Sequence, residues 1–225
     1  MRRYGLPLLS LIVAGVCVRL GIWQVSRLKE RRAWNAELSA RMAQIPLDLD
    51  GALPDSLTWR HAIARGIYDY DHEILLANRT QGGLPGAYVV TPLRLRSGRL
   101  VLVERGWMYA PDGRDVGHIP IEPADTAVSG VIVEQLGKQT PRIEDVNPKY
   151  HWPMTVQTLD LWALAKPLGL VTAVLRRTSG GSMPMQTIPT PALDDGPHLS
   201  YAIQWFSFAL IALVGGWVVW RRRDS

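Results

Sequence analysis

Two short stripes of residues carry the side chains best suited to chemistry. His198 is followed by Tyr201 at i+3 and Trp205 at i+7, which places all three along one face of a helix, with Gln204 beside them. Arg19 is followed by Trp23 at i+4 and Arg27 at i+8, a second polar and aromatic stripe. An imidazole, aromatic walls and guanidinium groups at one depth would suit an amphipathic anionic cofactor. Haem needs a neutral imidazole for its iron, apolar walls for its ring and bases for its propionates. The plainer readings stay open: a helix-start imidazole caps backbone donors, and an Arg near the end of an apolar helix snorkels to the headgroups.

Both stripes belong to segments long enough to cross a bilayer. Tyr201 to Trp220 holds no formal charge and at about 1.5 Å per residue spans a hydrocarbon core of roughly 30 Å. Arg221, Arg222 and Arg223 follow it, whereas Asp194 and Asp195 precede it, so the positive-inside rule places the C-terminus in the cytoplasm. Leu6 to Val25 is the second apolar stretch. It has the charged start of a signal peptide, but no small-x-small cleavage site closes it. Arg27, Lys29, Arg31 and Arg32 would alone favour the opposite orientation; two spans with an internal C-terminus bring the N-terminus inside as well.

The expected organisation is therefore a cytoplasmic N-terminus (1–5), a membrane helix (6–25), a helical stalk (26–45), an extracytoplasmic β-rich domain (46–178), a connector (179–197), a second membrane helix (198–220) and a basic cytoplasmic tail (221–225). The fold class is a membrane protein of α+β type, with a mainly antiparallel sheet or small barrel and one packed helix between the terminal spans. Alternating runs such as AYVVTPLRLR and RLVLVERGWMY support the strands, and Arg96-Ser97-Gly98-Arg99 between two of them predicts a tight hairpin. Thr158 caps the run LDLWALAK as the packed helix.

Net charge is +5, yet the basic excess is not spread along the chain. Residues 1–41 and 221–225 hold 11 basic and 3 acidic side chains, against 14 and 17 in the remainder. The basic character follows the membrane flanks, and nucleic acid is not an expected partner. Arg79, Arg94, Arg96, Arg99 and Arg105 alternate with apolar residues and read as a solvated sheet face. One cysteine, Cys17, excludes an intramolecular disulfide, a CxxC redox pair and the CxxxC arrangement of copper-delivery proteins. No phosphate loop, dinucleotide fingerprint, serine-hydrolase elbow or HExxH is present. His61, His118 and His151 lack metal-ligand spacing, the Gly-rich run 82–86 reads as a turn, and Asp69, Asp71, His72 and Glu73 read as a polar turn.

Leu20-Gly21-Ile22-Trp23-Gln24 within LGIWQVSRLKER, then LLANRTQGGLPGAYVVTPLRL, Arg105-Gly106-Trp107 within LVLVERGWM, NPKYHWPMTVQTLDLWALA and HLSYAIQWFSFAL occur in that order. Together they resemble the Surfeit-locus cytochrome c oxidase assembly factors over nearly the whole chain. The resemblance implies a two-span inner-membrane protein with both termini cytoplasmic. Its domain would lie in the periplasm, or in the intermembrane space for mitochondrial members. It implies a non-enzymatic role in which haem a is a transient cargo, with oxidase subunit I and the haem a synthesis machinery as partners. By the same resemblance His198 is the haem-ligating candidate, although Gly196-Pro197 stands where members often carry Asn. Tyr201, Gln204, Trp205, Arg19, Trp23 and Arg27 are added around it from helix faces. Two other readings remain: a membrane scaffold that stabilises nascent oxidase subunits without haem, and an enzyme modifying haem or lipid, for which no acid–base or redox set stands out.

Overall fold

The computed structural model describes residues 5–123, 126–135, 152–161, 164, 168, 171–180 and 183–222. They form two compact units, one of residues 1–39 with 192–225 and one of residues 40–191.

The first unit is a pair of helices. Helix α1 (Gly5–Met42) runs unbroken through the apolar stretch and the expected stalk, about 57 Å at 1.5 Å per residue. No Pro or β-branched cluster interrupts it after Val25, and Arg41 in its last turn complements the helix dipole. Helix α2 (His198–Arg221) begins directly after Pro197. Both are long and apolar enough to cross a membrane. They run antiparallel: a Cβ at Gly21 would stand 2.7 Å from the Phe206 ring, and one at Gly216 would stand 2.7 Å from Ser10. As far as Leu28 the buried positions of α1 are Ala14, Cys17, Gly21, Gln24 and Leu28, and those of α2 are Ala202, Ala209 and Gly216, most of them small. Their spacing by three and four on α1 and by seven on α2 draws one seam down each helix.

The second unit is a small barrel with a flanking extension. Its strands are β1 (Leu47–Asp48), β2 (His61–Tyr68), β3 (Ile74–Gln81), β4 (Leu84–Leu95), β5 (Leu100–Tyr109), β6 (Thr126–Gln135), β7 (Met154–Val156) and β8 (Val171–Arg177). Pairing runs β2–β6–β8–β5–β4 and returns from β4 to β2, which closes the ring; β3 and β7 continue outward from β4. The hairpins β3–β4, β4–β5 and the β2–β6, β6–β8 and β2–β4 pairs are antiparallel, as expected, while β5–β8, β1–β2 and β3–β7 are parallel. Gly98 takes the positive φ (83°) of the expected turn at 96–99, and Gly98 N–H donates to Leu95.

Strand β5 is buried on both faces because it has a core on each side. Val101 and Val103 point into the barrel with Ala64, Leu93, Val128 and Leu175. Leu100 and Leu102 point outward onto Ile74, Val90 and Leu161, Leu164 and Leu168. Residues 161, 164 and 168 are helical, at the spacing of one face, where the packed helix was expected. Thr158 to Asp160 are not helical, and Leu164 N–H donates to Asp160 O at 3.0 Å, so the helix begins after Asp160 rather than at the expected Thr158 cap. Residues 162, 163 and 165–167, and His151, lie outside the described residues.

Residues 183–191 differ from the expected connector. Gln186 exchanges both backbone hydrogen bonds with Trp107 (2.7 and 2.8 Å), and Met185 and Ile188 are buried. Gly106 permits this approach, since a Cβ there would stand 2.8 Å from the Gln186 carbonyl oxygen. A stretch rich in Pro, Gly and Ser gave no periodic signal for a single bridge of this kind.

Barrel closure depends on bare backbone at Gly66, where a Cβ would stand 2.2 Å from the Arg94 carbonyl oxygen. Gly66→Ala is expected to cost about 1–3 kcal/mol by overpacking. Ile67→Thr, at an exposed position of the same strand, should stay within about 0.5 kcal/mol. Chemical denaturation followed by Trp fluorescence distinguishes the two.

Candidate functional site

His198 is the first residue of α2 and half-buried. Its Nδ1 lies 2.9 Å from Oε1 of Gln24 on α1. A carboxamide oxygen only accepts, so Nδ1 carries the proton and donates, and in the neutral imidazole this leaves the lone pair on Nε2. That is the tautomer a metal-ligating imidazole needs, with its other nitrogen held by a neighbouring acceptor. Gly196, at φ +64°, places no side chain against the ring; even a Cβ there would be 3.8 Å from Nε2.

The chain leading into α2 is tied to α1 above the seam. Arg31 Nε and Nη2 donate to the carbonyls of Asp194 and Ala192 (3.2 Å each), and Asn35 Nδ2 donates to Asp194 O at 2.7 Å. Arg32 grips the Asp195 carboxylate at 2.7 and 2.9 Å. That hydrogen bond and charge hold the Asp195 carboxyl below the usual carboxylate range. The α2 entrance is thereby held by Arg31, Arg32 and Asn35 of the expected stalk.

The expected site residues do not all converge. Trp205 is half-buried on the His198 side of α2 and meets Phe208 edge-on at 6.0 Å. Tyr201 and Gln204 are exposed. Arg19, Trp23 and Arg27 are exposed too, and they do not face His198. At about 100° per residue, the side of α1 turned to α2 carries Cys17, Gly21 and Gln24, and Arg19 lies on the opposite side. Arg27 sits over the Trp23 ring at 6.0 Å and pairs with Glu30 at 2.5 Å. The expectation that this cationic stripe meets the imidazole is corrected: the seam needs small residues, and the bulky stripe is turned outward. Gln24 was missed as the partner. Its signal was a lone amide three residues after Gly21 in the small-residue stripe.

The barrel holds a second constellation that the sequence did not reveal. Arg105 was expected on a solvated face but is 2% exposed. The register shift at Val89/Val90 pairs Gly106 and Glu104 with β4 and leaves Arg105 as the bulged residue, aimed inward. It bridges Glu73 at 3.0 Å and Glu122 at 3.2 Å, donates to the Pro120 carbonyl, and lies 5.2 Å from the rings of both Tyr68 and Tyr70. Arg177 from β8 completes the set, donating to both Glu122 carboxylate oxygens at 2.7 and 2.8 Å. Two guanidinium groups thus neutralise two buried carboxylates, which reads as a folding device. In the polar turn, His72 Nδ1 lies 2.9 Å from the Asp69 carboxylate while Glu73 turns into this core.

What this geometry defines is a class: a β-barrel domain inserted in sequence between two paired apolar helices, with a half-buried imidazole at the helix seam. Among the described residues no group of His, Cys, Asp and Glu is arranged to hold a metal ion by itself. The chain belongs to the SURF1 family, whose model matches residues 11–210. Among its relatives, the SURF1-like protein of Monosiga brevicollis is 30% identical, covering 98% of this chain and 89% of its own length. Human Surfeit locus protein 1 is 29% identical, covering 88% and 72%. The cytochrome oxidase assembly protein SHY1 of Saccharomyces cerevisiae is 32% identical over 111 residues, covering 45% and 28%.

Arg105→Leu is expected to cost about 3–5 kcal/mol, because Glu73 and Glu122 lose a buried counter-charge. Tyr68 offers a pH test. Burial, and then the Glu122 charge, push its hydroxyl above the ordinary value of 10, and among the described residues that hydroxyl has no hydrogen-bond partner. The unfolded chain releases this proton near pH 10 while the folded chain keeps it, so stability is intact below about pH 10 and falls as pH rises through the raised value. Tyr68→Phe should remove that alkaline loss and leave stability at pH 7 unchanged or slightly higher. Urea denaturation between pH 7 and 11 reads both effects.

Proposed function

We propose that the protein is an assembly factor for a haem–copper cytochrome c oxidase, which holds haem a transiently and assists its insertion into subunit I. Membership of the SURF1 family and the name of the yeast relative, a cytochrome oxidase assembly protein, support the assembly part. The observation that carries the haem part is the Gln24–His198 hydrogen bond, which leaves Nε2 of an imidazole free to bind. In this reading α1 and α2 span the inner membrane with both termini in the cytoplasm, where Arg221 and Arg222 end α2. The barrel then lies in the periplasm.

The chain's own residues do limited things, and no reaction is catalysed. Iron supplies the coordination chemistry when the cargo is bound. Gln24 holds the Nδ1 proton, and the Arg31 and Asn35 contacts fix the chain entering α2. Trp205 and Tyr201 supply apolar surface near the imidazole. A lone neutral ligand without a covalent link suits capture followed by release. Subunit I and the haem a synthesis machinery are the partners on either side of that transfer.

One observation favours a second reading, a scaffold that stabilises nascent oxidase subunits without haem. Arg19 and Trp23 are turned away from α2, an outward stripe at the depth of the apolar segment that fits a neighbouring membrane helix.

Co-expression with a haem a synthesis pathway separates the two. The purified protein should carry a haem a spectrum that His198→Ala removes, whereas Arg19→Ala should leave the spectrum and weaken co-isolation of subunit I. Pigment retained by His198→Ala would contradict the ligand assignment. A colourless protein that still isolates with subunit I would favour the scaffold.

A further inference from the structure

The opposite end of the helix pair contains a cleft of about 430 Å³. Pro7 and Leu11 of α1 and Leu213, Trp217 and Trp220 of α2 wall it, and the Ser10–Gly216 approach is its floor. The Ser10 hydroxyl is spent on the Leu6 carbonyl (3.0 Å), so the lining presents little that a polar ligand could use. Its rim is different. The Arg221 guanidinium stands over the Trp217 ring at 5.3 Å, and among the described residues no carboxylate pairs with it.

We propose that this cleft is a binding site for one anionic phospholipid of the cytoplasmic leaflet, with an acyl chain between the helices and the phosphate on Arg221. The inference rests on the reading that α1 and α2 cross the membrane. Three features select this occupant. A partner helix, about 10 Å across, would fill such a volume within one turn, so the space suits one slender apolar chain better than a helix. Trp217 and Trp220 are the residues that settle at the headgroup boundary, so the cleft opens where lipid is oriented chain-inward. A guanidinium held by an aromatic ring at the rim offers a phosphate two parallel donors, as basic sites between membrane helices on the cytoplasmic side do. Arg222 adjoins it, and Arg2, Arg3 and Arg223 add positive charge in the neighbouring sequence. A lipid bound here would brace the helices at the end remote from Gln24 and His198.

The test is native mass spectrometry of the full chain in mild detergent, with equal amounts of phosphatidylglycerol and phosphatidylcholine of identical acyl chains. One phosphatidylglycerol should be retained in about tenfold preference. Arg221→Gln should bring the preference below about twofold while a lipid is still held, and Arg221→Lys should restore much of it. Leu213→Trp, which fills the cleft, should abolish retention of both lipids; its circular dichroism checks that the helices persist. Equal retention of the two lipids by the unaltered protein would overturn the proposal. So would preference unchanged by both Arg221→Gln and Leu213→Trp, or a polypeptide bound in place of lipid. Alkaline extraction of cell membranes keeps the underlying reading separate. A protein released by alkali contradicts the membrane spans, whereas one that stays in the pellet without lipid preference contradicts the lipid site alone.

Discussion

The close approach of α1 and α2 is the constraint on which the candidate site depends. In apolar surroundings two apolar helices gain nothing from hiding from water, so pairing rests on van der Waals contact and the occasional polar bond. The seam supplies both. Gly21 accepts the Phe206 ring where any Cβ would collide, Gly216 does the same for Ser10, and Ala202 and Ala209 keep the intervening surface low. At one end of that seam the remaining polar pair, Gln24 and His198, closes at hydrogen-bond distance. The imidazole tautomer is thus a consequence of helix packing. A bulkier residue at position 21 would lose contact area and also withdraw the acceptor that orients His198.

The barrel solves a different problem, the burial of charge. Arg105, Arg177, Glu73 and Glu122 arrive from two strands and two loops that are distant in sequence, and each is stable there because the others are present. Such a set contributes little net stability over an apolar core, but it penalises any other register, because a one-residue slip of β5 would strand a guanidinium. The run Glu104-Arg105-Gly106-Trp107 gains its meaning from this core. Glu104 holds Arg176 at 2.5 Å, Arg105 enters the network, Gly106 admits the Gln186 backbone, and Trp107 donates its indole N–H to Arg79 O at 2.9 Å.

Much of the architecture was legible because it rests on local signals: long apolar runs for the terminal helices, alternation and a Ser-Gly turn for β4 and β5, and the run LDLWALAK for the helical residues 161 and 164. What stayed hidden required knowing which surfaces meet. Helical spacing grouped Arg19, Trp23 and Arg27 correctly on one face, yet it carries no information on which face a partner takes. Small residues decided that, and they advertise themselves only as an absence of bulk. Alternation likewise made Arg105 look solvated, since a strand pattern cannot separate a barrel interior sealed by partner carboxylates from a wet face. Gln186 was invisible for a related reason: a single bridge has no period.

The coupling between Gln24 and His198 is measured most directly by a double-mutant cycle of haem a affinity. With His198 present, Gln24→Leu should weaken binding about 10–100-fold by releasing the Nδ1 proton from its acceptor. In the His198→Ala background the same change should do almost nothing. Equal losses in the two backgrounds would contradict an imidazole oriented by Gln24.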